Sequence, residues 1–186
     1  MKYLCSFLSS VMMAMSLLLS QSANAEPVPE YQIKAAYLYN LAALTTWPID
    51  SNHSGSSGNT RLNDVVKICV LGNDSFGGAL QQLIGNSSGS VQITLSYLAN
   101  MNNAHDCQIL FIDVSALDNP AEMLKKLEKM PVLTVTDNLD LFNAGAMIGL
   151  FLDNKRLALD VNYKQTNNAQ LSISSKLLRV ARRVLQ

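Results

Sequence analysis

Residues 65–78 read VVKICVLGNDSFGG. Val65–Leu71 is an apolar, β-branched run broken only by Lys67, and it stops at Gly72. An apolar run without alternation is what a strand buried on both faces looks like, and such strands belong to parallel sheets covered by helices. Phe76–Ile84 then carries helical spacing, with Asp74 or Ser75 placed to cap it. Strand, glycine turn and helix in that order open a βαβ unit.

The alternation continues downstream. Val91–Leu95 and Cys107–Ile112 (CQILFI) predict two more strands. Ala121–Met130 predicts a charged amphipathic helix that begins behind Pro120, and Val132–Val135 a fourth strand. Met147–Leu152 and Leu157–Val161 flank Asp153-Asn154-Lys155-Arg156, a hairpin turn. Ser174–Leu185 predicts a last helix. The expected fold class is α/β: a single compact domain with a mostly parallel sheet flanked by helices and a C-terminal antiparallel hairpin as its edge.

Upstream, residues 30–46 predict a helix, with Ile33, Tyr37, Leu41 and Leu44 at helical spacing. Ala35, Leu38, Ala42 and Ala43 cover its other side. A helix apolar nearly all round is buried on more than one side. It is either a core helix or one that also packs on a partner or a second copy. Trp47-Pro48 stops it, since the residue before proline avoids the α region. Residues 51–60 (SNHSGSSGNT) are small and polar and read as an exposed loop. His53 lies in that loop and His105 in another polar stretch, both read as solvated.

The chain has 186 residues, 48% apolar and 15% charged, which excludes a disordered or collagen-like composition. Lys plus Arg and Asp plus Glu are 14 each, so the basic excess of a nucleic-acid binder is missing and no nucleic acid is expected as partner. With two histidines and three cysteines, no metal site and no cofactor is expected. Part of the apolar content is targeting signal. Met1-Lys2 is followed by an uncharged run over residues 3–19, then Ala23-Asn24-Ala25 before Glu26, the pattern of a cleaved secretory signal peptide. The expected organisation is a signal peptide at 1–25 and one α/β domain at 26–186, exported from the cytoplasm. Cys69 and Cys107 remain after cleavage. An even count in an oxidising compartment predicts that they are bonded.

Three motifs bear on chemistry. Gly85-Asn86-Ser87-Ser88-Gly89 matches the serine-hydrolase elbow, but that elbow needs a strand before it and a helix after it, and here the order is reversed. Gly72, Asn73, Asp74, Ser75 and Gly77 form a turn between a strand end and a helix start, where parallel-sheet proteins bind ligands. It lacks the Lys and Ser/Thr of a P-loop, and Asp74 would repel a phosphate, so a plain tight turn is the preferred reading and a ligand turn the alternative. Lys176, Arg179 and Arg183, with Arg182 nearby, fall on one face of the predicted last helix, opposite Ile173, Leu177, Ala181 and Val184. That face is either solvated or a docking surface for an acidic partner or lipid head groups. Asp137, Asp140, Asp153 and Asp160 have no assignable partners, and no catalytic residue is expected.

Several of these segments, in order, resemble the YfiR family of bacterial periplasmic proteins. The resemblance runs from Ile33-Lys34-Ala35-Ala36-Tyr37-Leu38-Tyr39-Asn40 and Trp47-Pro48 through Lys67-Ile68-Cys69-Val70-Leu71-Gly72 and Cys107-Gln108-Ile109-Leu110-Phe111-Ile112. It continues through Val132-Leu133-Thr134-Val135-Thr136-Asp137, Phe142, Gly145 to Gly149 and Val161-Asn162, and closes at Ile173-Ser174-Ser175-Lys176-Leu177-Leu178. It spans roughly residues 30–186. The resemblance implies a compact α/β domain, often dimeric, that binds the periplasmic part of an inner-membrane diguanylate cyclase and holds it inactive. It implies release linked to disulfide redox state and to an outer-membrane lipoprotein partner. It therefore implies a regulatory binding protein rather than an enzyme. The second cystine that the best-known members carry in the late hairpin has no counterpart, since residues 139–152 contain no cysteine. The surface expected to meet a partner or a second copy comprises Tyr39, Leu41, Trp47, Lys176, Arg179 and Arg183. The alternative function is a periplasmic small-ligand sensor acting through the Gly72–Gly78 turn.

Overall fold

The computed structural model describes residues 30–48, 65–86, 91–113, 115, 119–154 and 156–186. The predicted signal peptide, the 51–60 loop with His53, Ser87–Gly89 of the elbow-like motif and Lys155 lie outside the described residues.

The chain runs α1 (Glu30–Leu44), β1 (Thr45–Thr46), β2 (Val65–Leu71), α2 (Ala79–Gly85), β3 (Gln92–Leu98), a 3₁₀ segment (Met101–Asp106) and β4 (Ile109–Ile112). It continues with α3 (Pro120–Leu127), β5 (Leu133–Thr136), α4 (Leu139–Asn143), β6 (Ile148–Asp153) and β7 (Arg156–Asn162). It ends with α5 (Tyr163–Asn168), β8 (Ser172–Ile173), α6 (Ser175–Val180) and β9 (Arg183–Leu185). Seven strands make one sheet in the order β3-β2-β4-β5-β6-β7-β9. The first five are parallel, β6 and β7 form an antiparallel hairpin, and β9 pairs parallel to β7. This is the expected α/β class with its mostly parallel sheet and late hairpin.

Alternation along the strands explains why both sheet faces are apolar. In β2, Val66, Ile68 and Val70 join one core cluster, while Cys69 and Leu71 join the other. In β4, Ile109 and Phe111 divide from Leu110 and Ile112 in the same way. Leu38 and Leu41 of α1, Leu80 of α2 and Leu177 of α6 cover the first face. Met123, Leu124 and Leu127 of α3 and Leu141 of α4 cover the second. Burial of this kind, at about 25 cal/mol per Å² of apolar surface, is the main drive to fold. Cys69 and Cys107 are bonded, with Cα atoms 5.9 Å apart, so the bridge ties β2 to the residue leading into its neighbour β4.

Four expectations change. The helix expected at 76–84 starts only at Ala79, and its N-cap is Gly78, not Asp74 or Ser75. Gly77 and Gly78 both have positive φ, which bars a right-handed helix from crossing them. Asp74 Oδ1 instead accepts the Phe76 N–H at 3.0 Å within the turn. The helix expected to reach residue 46 ends at Leu44, because Thr45 and Thr46 pair with Ile173 and Ser172. The last helix stops at Val180 and Ala181 is extended, so Arg183 belongs to strand β9 and the single basic helix face holds only Lys176 and Arg179. For the same reason the hairpin is not the edge of the sheet, since β9 lies outside β7. The 3₁₀ segment, α4 and α5 add to the expected elements. Each is N-capped by an asparagine side chain, Asn100, Asn138 and Asn162 respectively.

Candidate functional site

Parallel strands β2, β4 and β5 end side by side at Leu71, Ile112 and Thr136. The order β3-β2-β4-β5-β6 reverses direction between β2 and β4, and open α/β sheets bind ligands at such a switch, beyond the carboxyl ends of the strands. Three short segments meet there: the Gly72–Gly78 turn after β2, Asp113 after β4 and Asp137 after β5. Helix α1 crosses this end and adds Tyr31 and Lys34.

The groups are bonded to one another. Lys34 is almost wholly buried, and its Nζ donates to Asp137 Oδ2 at 2.7 Å and pairs with Glu30. Tyr31 donates its hydroxyl to the same carboxylate oxygen at 3.1 Å, and Lys34 Nζ lies 4.4 Å from the Tyr31 ring centre. Burial pulls the Lys34 ammonium down, but its bonds to Asp137 and Glu30 outweigh that and hold it above the usual lysine value. Tyr31 is raised, first by burial.

Asp113 is also buried. Its Oδ2 accepts the Ser75 hydroxyl at 2.9 Å, and its Oδ1 accepts the Ser115 N–H at 2.9 Å and the Ser115 hydroxyl. Burial raises this carboxyl, but the Ser115 and Ser75 bonds prevail and hold it below the usual aspartate value. Asn73 donates its N–H to Ser115 Oγ at 3.3 Å. The free donors that a ligand would use at this turn are thus engaged at Asn73, Ser75 and Phe76. Gly72 and Gly77, at positive φ, let the chain reverse there. The arrangement locks α1 and two loops onto the strand ends.

The expected partner surface divides. Leu41 is wholly buried inside the core, which removes it from any surface role. Tyr39 is half-buried. Trp47 is half-buried as well and packs on the core, donating Nε1 to the Gln108 carbonyl at 3.2 Å. Ile33, Ala36, Tyr39, Asn40 and Ala43 lie on the side of α1 that keeps some exposure. Lys176 and Arg179 are exposed on α6. Arg183 Nη2 pairs with buried Asp160 at 2.8 Å. Arg182 takes both Asp160 oxygens and also reaches Asp153. Its charge is held more firmly than usual, chiefly by the hydrogen bond to Asp160. His105 is exposed beside Asp106, as a solvated histidine should be.

Sequence reasoning missed the Tyr31–Lys34–Asp137 and Ser75–Asp113–Ser115 groups. The available signal was positional: Asp113 and Asp137 each directly follow a short apolar strand, ILFI and LTVT. Among the described residues no group of His, Cys, Asp and Glu is arranged to hold a metal ion. No described helix is long and apolar enough to cross a membrane.

No curated protein matches the sequence. Solved structures with a similar course include a conserved domain protein from Vibrio cholerae, at 12% identity and a TM-score of 0.46, covering 63% of this chain and 54% of that one. Another is the ABC domain in complex with L-Trp from Streptococcus pneumonia, at 8% identity and a TM-score of 0.46, covering 64% and 55%. The chain therefore spans about half the length of these structures. A family model described as YfiR/HmsC-like matches residues 31–182, from the start of α1 to the arginine that clasps Asp160. With that match spanning both core faces, the disulfide and the strand-end cluster, the chain belongs to the YfiR/HmsC-like family.

Proposed function

We propose that this chain is a periplasmic regulatory binding protein that restrains an inner-membrane signalling enzyme, a diguanylate cyclase, by binding its periplasmic portion. The observation that carries the reading is the family match over residues 31–182. The bonded Cys69 and Cys107 fit an oxidising compartment. An exported protein cannot touch a cytoplasmic catalytic domain, so it acts by favouring one state of the receptor's outer domain. That requires different affinities for the two states rather than tight binding alone. A 100-fold difference corresponds to about 2.7 kcal/mol, within reach of a few apolar side chains.

In this reading the chain works as a homodimer, with the outward side of α1 around Ile33, Ala36 and Tyr39 meeting its copy. An outer-membrane lipoprotein is the proposed antagonist. Co-purification from intact membranes after cross-linking tests the reading. Recovery of a membrane protein with a cyclase domain is expected, and recovery of the exported chain alone would contradict it.

A ligand-sensor reading rests on the position of the Gly72–Gly78 turn at the sheet's switch point. The engaged Asn73, Ser75 and Phe76 donors weigh against it.

A further inference from the structure

Residues 156–186 carry six basic side chains, Arg156, Lys164, Lys176, Arg179, Arg182 and Arg183, against the single acid Asp160, in a chain whose basic and acidic side chains total 14 each. Asp160 is buried between Arg182 and Arg183, which fixes β9 against β7. That pairing covers only Asp160–Asn162 of β7. The Asn162 N–H donates to Met147 on the β6 side, and the Leu159 carbonyl accepts the Arg182 N–H on the other. Alternation therefore turns the N–H and C=O of Leu157 outward, onto the stretch that β9 leaves uncovered. An open cleft of about 540 Å³ lies against this stretch, lined by Arg156, Leu157, Ala158, Val180 and Arg182 and by Asp153, whose carboxylate pairs with Arg182. Val180 is 63% exposed and Leu152, on the adjoining strand, 52%. Among the described residues no carboxylate pairs with Arg156 or with Arg179, the neighbour of Val180.

An uncovered half-edge, exposed aliphatic side chains and unpaired guanidinium groups fit one kind of occupant. We propose that this cleft takes an extended segment of a protein partner, rich in aliphatic and acidic side chains, which adds to the sheet beside Arg156–Leu159. The main-chain bonds would come from Leu157, and Arg156 and Arg179 would select carboxylates. An open strand edge beside exposed aliphatic side chains suits an extended peptide better than the flat surface of a lipid bilayer. This inference locates the partner surface of the proposed regulator and rests on that reading.

The experiment titrates the ¹⁵N-labelled, exported chain with the peptide acetyl-Val-Asp-Val-Asp-Val-amide and, separately, with its lysine counterpart. The acidic peptide should shift the amides of residues 156–159 and 180–182 and slow hydrogen exchange at Leu157. The lysine peptide should bind at least about tenfold more weakly, and Arg156→Glu with Arg179→Glu should weaken the acidic peptide by a similar factor. Both substitutions are at exposed positions, and an otherwise unchanged amide spectrum confirms the fold. Equal binding of the two peptides, or unmoved cleft amides at about 1 mM peptide, would overturn the proposal. So would phosphatidylglycerol vesicles that sediment the chain through Arg179 while peptides leave the cleft untouched. Cellular cyclic-di-GMP reads the regulatory function and this titration reads the cleft, so either can fail alone.

Discussion

Lys34 Nζ meets Asp137 Oδ2 at 2.7 Å, although 103 residues separate the two in sequence. The pair fastens the first turns of α1 to the end of β5 and closes the carboxyl end of the sheet. Only 3% of the Lys34 side chain is exposed and 14% of that of Asp137. Removing one partner from such a pair leaves a poorly hydrated charge. Lys34→Met should therefore cost about 2–3 kcal/mol in urea melts, while Lys34→Met with Asp137→Leu should recover most of the loss. A single substitution within about 0.5 kcal/mol of the parent would show that the pair holds nothing together.

The Cys69–Cys107 bridge closes a loop with a sequence separation of 38 and lies inside the second core cluster. Chain entropy assigns it about 4 kcal/mol, an upper figure. Cys69→Ala with Cys107→Ala should lower the unfolding free energy by about 2–4 kcal/mol and leave the far-ultraviolet spectrum native. Unchanged melting would deny the bridge a structural role. With no cysteine in residues 139–152, its role here is expected to be structural rather than a redox switch.

Asp113 gives a pH signature. Its folded-state carboxyl sits below the ordinary value because the Ser115 and Ser75 bonds outweigh burial. A depressed acid contributes stability above its unfolded value, and that contribution disappears as pH falls through the folded value. Asp113→Asn should thus cost about 1–3 kcal/mol at neutral pH. The gap to the parent should shrink as the pH drops below about 4. A gap independent of pH from 7 down to strongly acidic conditions would show that the carboxylate charge is not what the serines hold.

The strands were legible because strands buried on both faces write themselves as continuous apolar runs, as VVKICVL and ILFI do. Their order in the sheet was not, because pairing joins residues far apart in the chain. The last helix shows how a local pattern misleads. Ile173, Leu177, Ala181 and Val184 keep helical spacing, yet the helix ends at Val180, and Asp160 pairs with Arg182 and with Arg183, the first residue of β9. Of the expected surface, Lys176 and Arg179 were readable as exposed because charged residues rarely bury unpaired. Leu41 was not readable, since an all-apolar helix does not say which side faces its own core. The strand-end cluster escaped because Tyr31, Ser75, Asp113 and Asp137 meet only through the topology.

Export adds a separate expectation. The intact mass of chain from the periplasmic fraction should match residues 26–186, with cleavage after Ala25. Chain that keeps residues 1–25, or that is found only in membranes, would contradict export by a cleaved signal.

Restraint of a cyclase is the central claim, and cellular cyclic-di-GMP after deletion of this gene measures it most directly. Loss of an inhibitor should raise cyclic-di-GMP and surface attachment, and both should return to the parental level when the gene is restored. Levels that stay flat in the deletion strain, or fall, would contradict the account.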